Sequence, residues 1–95
     1  MYSNISCEEL RGLIGKIEII DIRDNYLYKL GSIPTSKNIP VNFLLMNPNN
    51  YLDKNKTYYI YCAYGIQSKR ACINLTQQGY KVVNILGGYN SYFNF

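Results

Sequence analysis

Five consecutive residues, Thr57-Tyr58-Tyr59-Ile60-Tyr61, are all β-branched or aromatic, and they run directly into Cys62. A segment of that kind suits a strand covered on both faces. A short stretch, Ala63-Tyr64-Gly65-Ile66-Gln67, follows. A helical pattern then runs from about Ser68 to Gln78, with Ala71, Cys72 and Leu75 at core spacing and Gly79 as its stop. Parallel strands need such crossovers, because a tight hairpin cannot join them.

The rest of the chain repeats the alternation. Ser6-Cys7-Glu8-Glu9 reads as a capping box ahead of a short helix with Leu10, Leu13 and Ile14 on its apolar side. Ile17 to Ile22 reads as a buried strand. Asp24 is placed to cap a helix from about Asn25 to Leu30, with Gly31 after it. Ser32 to Pro40 holds two prolines and small polar residues, which predicts a connection with little regular structure. Val41 to Met46 predicts a helical turn, Val82 to Ile85 a strand, and Gly87-Gly88 a turn into an aromatic segment, Tyr89 to Phe95. The expected fold is therefore α/β: a mostly parallel central sheet flanked by helices on both faces.

The chain's 95 residues predict one domain, 1–95. Hydrophobic residues form 47% and charged residues 17%, enough apolar material for a packed core. Ten Lys or Arg against six Asp or Glu give a formal charge of +4. The basic residues are scattered, with no run beyond Lys69-Arg70, which favours a small anionic substrate over nucleic acid. Cys7, Cys62 and Cys72 form no disulfide spacing and no CxxC pair, and three free thiols fit a reducing compartment. Glu8, Glu9 and Arg11 interrupt any signal-peptide apolar region, and no run approaches membrane-spanning length. The expectation is a cytoplasmic chain with no membrane partner. It contains no histidine, so a Ser-His or Cys-His dyad within the chain is excluded and a zinc site is disfavoured.

In an open α/β sheet, ligands bind beyond the carboxyl ends of the strands, where Cys62 stands. A loop closing onto a helix start aims several N–H groups at one point, and Gly65 supplies the backbone freedom for the turn. A thiolate at that point is favoured. Two readings of Cys62 stand: a nucleophile, or a small buried apolar side chain. Gly65 and Ser68 at these offsets favour the first. Lys69 and Arg70 sit where cations oppose the helix dipole, so they either attract an anion or are simply solvated.

Several motifs together resemble the rhodanese family of sulfurtransferases. Asp21-Ile22-Arg23, then Tyr28, Gly31, Ile33-Pro34 and Asn38-Ile39-Pro40, is similar to its Asp-x-Arg strand end and the connection after it. Tyr61-Cys62 with Gly65 and Ser68 resembles its active-site loop, and Gly79-Tyr80 with Leu86-Gly87-Gly88 its tail. The resemblance implies a rhodanese-like fold with Cys62 as the catalytic nucleophile and Ala63, Tyr64, Gly65, Ile66, Gln67 and Ser68 as the substrate cradle. It implies transfer of a sulfane sulfur, through a persulfide, from a small anionic donor such as thiosulfate or a protein persulfide to a thiophilic acceptor, with no metal or organic cofactor. A non-catalytic binding module of the same fold is the alternative. A cysteine phosphatase or arsenate reductase is a weaker one, because the loop of six residues from Cys62 to Gln67 is short for phosphate. Departures are Leu27, Ser32, Thr35-Ser36 and Tyr92, which look structural, and Gln67, which stands where arginine is frequent. Asp21 and Arg23 read as a structural pair, and Cys72 as a core residue.

Overall fold

The computed structural model describes residues 2–94. Five strands, β1 (Ser3–Ile5), β2 (Glu18–Asp21), β3 (Lys37–Asn38), β4 (Thr57–Tyr61) and β5 (Lys81–Ile85), form one sheet in the order β1-β5-β4-β2-β3. Every adjacent pair is parallel. The aromatic strand β4 lies at the centre, where both faces are covered, as its composition requires. Among the described residues five helices accompany the sheet: α1 (Cys7–Arg11), α2 (Asn25–Leu30), α3 (Val41–Met46), α4 (Ile66–Gln77) and α5 (Gly88–Phe93). A short 3₁₀ turn, Pro48–Asn50, follows α3.

The period of two along each strand divides the core into two layers. Ile20, Ile22, Tyr58, Ile60 and Val82 point to one face, where Leu44 of α3 and Ala71, Cys72 and Leu75 of α4 cover them. Ile19, Tyr61 and Ile85 point to the other, against Cys7 and Leu10 of α1 and the tyrosines of α5. Asn84 shares a face with Val82, so a polar side chain sits beneath α4, 2% exposed.

Local chemistry accounts for most of the boundaries. The capping box forms: Ser6 Oγ accepts from the Glu9 N–H at 3.1 Å, and Glu9 Oε1 accepts from the Ser6 N–H at 3.4 Å. At the end of α4 the Gly79 N–H donates to Thr76 O and the Tyr80 N–H to Leu75 O, with Gly79 at φ +93°. That is the Schellman arrangement a C-terminal glycine allows.

Three expectations are corrected, and one further segment gains a structure. Helix α4 begins at Ile66 and not at Ser68, because Gly65 takes φ +92° as its N-cap. Asp24 holds the N-cap position of α2, but its carboxylate makes no capping bond; its carbonyl accepts from the Leu27 and Tyr28 N–H groups. The Ser32–Pro40 connection contains β3, fastened to β2 by Asn38, whose amide donates to Asp21 O at 3.0 Å and Arg23 O at 2.9 Å. The last aromatic segment is a helix, α5, as far as Phe93, while Phe95, its expected end, lies outside the described residues.

Candidate active site

Cys62 follows β4 at the carboxyl end of the sheet, in the loop that leads to α4. Its Sγ accepts from the Gly65 N–H at 3.1 Å and from the Ser68 N–H at 3.2 Å. The loop thus closes on the sulfur itself. The positive φ of Gly65 turns its N–H inward, and a Cβ there would stand 2.8 Å from Gly87 N. The Cys62 thiol also lies 3.3 Å from Ser68 Oγ, to which it donates.

A second element holds the loop from behind. The start of α5 directs its N–H groups at the loop carbonyls: Tyr89 donates to Cys62 O at 2.8 Å and Asn90 to Ala63 O at 2.9 Å. Orphan donors of a helix start are satisfied, and the same bonds fix the orientation of the Cys62 peptide. The approach is so close that a Cβ on Gly88 would overlap Cys62 O.

Above the sulfur is a depression lined by Cys62, Ala63, Tyr64, Ile66, Gln67 and Arg70. The N–H groups of Ala63, Tyr64, Ile66 and Gln67 have no acceptor among the described residues, and all four residues line that depression. Cys62 is 3% exposed, so only a group entering through this opening reaches it. Tyr64 and Ile66 stand exposed on the rim. Leu27, Tyr89 and Phe93 line an adjoining apolar depression with Tyr64. Arg70 lines the site; Lys69, its neighbour, does not.

The loop therefore brings Cys62, Gly65, Ser68 and the backbone of residues 63–67 together. Asp21 and Arg23 form a fastener, and Arg23 also lines the adjoining depression beside Ala63 and Tyr64. The guanidinium engages both carboxylate oxygens at 2.7–3.1 Å, donates to Gly31 O at 2.6 Å and lies 4.3 Å from the Tyr89 ring centre. Burial alone would push the Arg23 guanidinium down, but the Asp21 bonds outweigh it and hold it above its ordinary value. Cys72 is buried one helical turn after Ser68, and its thiol is pushed up to about 12 by that burial and, second, by Cys62 nearby. Burial likewise raises the Cys7 thiol, against the opposing effect of Arg11. Among the described residues no three Cys, Asp or Glu side chains gather as metal ligands.

Two contributors were absent from the sequence reading: Asn84, which accepts from Ser68 Oγ at 2.6 Å, and the start of α5. A polar residue at a period-two core position of Val82–Ile85 was the available signal for Asn84.

A parallel sheet that presents a cysteine to a nest of backbone donors defines an α/β domain built around one thiol. Its family follows from comparison: the Rhodanese-like domain model matches residues 6–94, and the chain belongs to the rhodanese-like family. It is 30% identical to the thiosulfate sulfurtransferase GlpE of Coxiella burnetii, over 97% of this chain and 88% of that protein. It is 32% identical to a sulfurtransferase of Allochromatium vinosum, over 93% and 85%. Among solved structures it is similar to a rhodanese-related protein of Thermoplasma volcanium, with TM-score 0.88, 31% identity, and 98% and 92% of the two chains covered. Among the described residues no helix is long and apolar enough to cross a membrane.

Proposed function

We propose that this chain is a sulfurtransferase that carries sulfane sulfur as a persulfide on Cys62. One observation carries the reading: Sγ already accepts two N–H bonds, and the loop residues Ala63, Tyr64, Ile66 and Gln67 line the space above it. A persulfide has two sulfurs to hold: the two N–H bonds hold the inner one, and the loop lines the space for the outer. The names of the relatives support the same chemistry.

With thiosulfate as donor, the Cys62 thiolate attacks the outer sulfur. The S–S bond of the donor breaks, and sulfite leaves with the electron pair. Cyanide or a thiolate then attacks the terminal sulfur of the persulfide and regenerates the Cys62 thiolate. Atoms and electrons balance without a redox cofactor. No histidine base is required once the thiolate exists, since both leaving groups depart as anions. Arg70 gives the anion a cation on the rim, and Gln67 contributes amide donors only. That balance leaves a protein persulfide as strong a candidate donor as thiosulfate. The proposal includes a single domain over residues 1–95 in the cytoplasm.

Mass spectrometry of the protein treated with thiosulfate, and separately with a persulfide donor, tests this. The expected result is one added sulfur on Cys62, lost as thiocyanate when cyanide is added, and no gain in Cys62→Ser. A wild-type protein that gains no sulfur on Cys62 from either donor is a binding module of the same fold.

A further inference from the structure

Beneath Cys62 runs a buried polar chain that the sulfur-transfer chemistry does not use. The thiol meets Ser68 Oγ at 3.3 Å, Ser68 Oγ meets Asn84 Oδ1 at 2.6 Å, and Asn84 Nδ2 donates to Asn4 Oδ1 at 3.4 Å. Ser68 is 0% and Asn84 2% exposed, so neither exchanges these partners for water. The chain spans α4, β5 and the edge strand β1.

A hydroxyl has one proton to give. An amide oxygen can only accept, so the short Ser68–Asn84 bond consumes that proton. In this orientation the Asn84 nitrogen donates to Asn4 Oδ1. What Ser68 Oγ then turns toward Cys62 is a lone pair. A lone pair suits the S–H of a thiol and repels a thiolate.

We propose that Asn84 is a positioning residue: it holds the Ser68 hydroxyl as an acceptor of the Cys62 thiol and withholds that hydroxyl from the thiolate. The hydrogen bonds that reach the thiolate are then those of the Gly65 and Ser68 N–H groups. The inference rests on the reading of Cys62 as the sulfur carrier, and it adds a residue that sets how readily the carrier enters its reactive form. The other titratable or charged groups around Cys62 are Arg70 and Tyr64 on the rim and Cys72 along α4. Tyr89 of α5 and the Arg23–Asp21 pair lie beyond the loop. None of these differs between the variants below.

The test is the pH dependence of Cys62 alkylation by iodoacetamide, read at the Cys62 peptide by mass spectrometry. In Asn84→Val the freed hydroxyl turns to the sulfur, and the midpoint falls by about one pH unit, the size of one hydrogen bond to a charged group. In Ser68→Ala the thiol loses its acceptor while the thiolate loses no donor, so the midpoint also falls. The double variant matches Ser68→Ala, because Asn84 acts only through that hydroxyl. A midpoint that rises or holds in Ser68→Ala shows that the hydroxyl is not an acceptor of the thiol, and overturns the proposal. An unchanged or raised midpoint in folded Asn84→Val, or a fall that persists undiminished when added to Ser68→Ala, does the same. Where Asn84→Val does not fold, the sign in Ser68→Ala decides alone. Alkylation needs no sulfur donor, so a protein that fails to load sulfur still yields this result, and the two readings fail separately.

Discussion

Gln67 is exposed on the rim of the site, and its side chain is neutral where the substrate proposed is an anion. Gln67→Arg adds a fork of charged donors next to Arg70 without touching the buried loop contacts. Its expected effect is a rise in kcat/KM for thiosulfate of about tenfold, on the order of one charge-assisted hydrogen bond. Steady-state thiocyanate formation measures it, with an uncharged dialkyl trisulfide donor as the comparison. An equal rise for both donors would exclude the charge argument. The three thiols offer a second check at this scale. Brief alkylation of the native protein near neutral pH is expected to label Cys62 and spare Cys72, which is fully buried with its thiol pushed up to about 12. Peptide mapping before and after denaturation reads the difference, and Cys72 labelled as fast as Cys62 would contradict it. Cys62, Gly65 and Ser68 were legible in the sequence because strand, turn and helix start are local signals. Asn84 was not, because its meaning depends on which helix side chain lies above it, a fact of packing between elements distant in sequence.

Elements position the loop from two sides. Helix α4 supplies the donors on Sγ, and α5 holds the carbonyls of Cys62 and Ala63. The second contact requires the backbones to approach within the space of a missing side chain. Gly88→Ala therefore combines a strained φ of +60° with overlap of the Cys62 carbonyl. The expected loss is about 2–4 kcal/mol of stability, together with slower Cys62 alkylation below the melting temperature. Gly15→Ala is the control. Gly15 has φ +92° but nothing within 4 Å of its would-be Cβ, so about 1–2 kcal/mol of strain is lost and the site is untouched. Equal stability losses and equal reactivity in the two variants would remove α5 as a support of the loop. The same packing logic explains what the sequence hid at this scale. Strand β1 has three residues and β3 two, too short for a period-two pattern to emerge. Their pairing is decided by exposed edges of β5 and β2 that need hydrogen-bond partners. The aromatic residues of α5 carry no helical signal of their own, and contact with the loop and with Tyr61 favours the helix.

At the scale of the molecule, both core layers enclose groups that must stay uncharged. Burial raises the Tyr61 hydroxyl, which accepts from the Ile33 N–H at 3.1 Å and lies 3.2 Å from Ser36 Oγ. Burial raises Cys72 in the layer under α4 and Cys7 in the layer under α1. Unfolding returns each to water. The unfolded chain then releases protons that the native chain keeps, so stability falls as pH rises. For Cys72 the window is set by its two values: the contribution is intact below the ordinary 9.0 and is lost progressively up to about 12. Within that window the fall is about 1.4 kcal/mol per pH unit for each fully shielded thiol. The chain lacks histidine, so no imidazole titrates in the neutral range. Denaturant midpoints are therefore expected to hold between about pH 7 and 8.5 and to drop steeply above about pH 9. Cys72→Ala starts from a lower plateau, because a cavity replaces the thiol, yet its alkaline slope is shallower. Identical slopes in the two proteins would show that Cys72 ionises as readily in the fold as in the unfolded chain, and that the layer under α4 admits water.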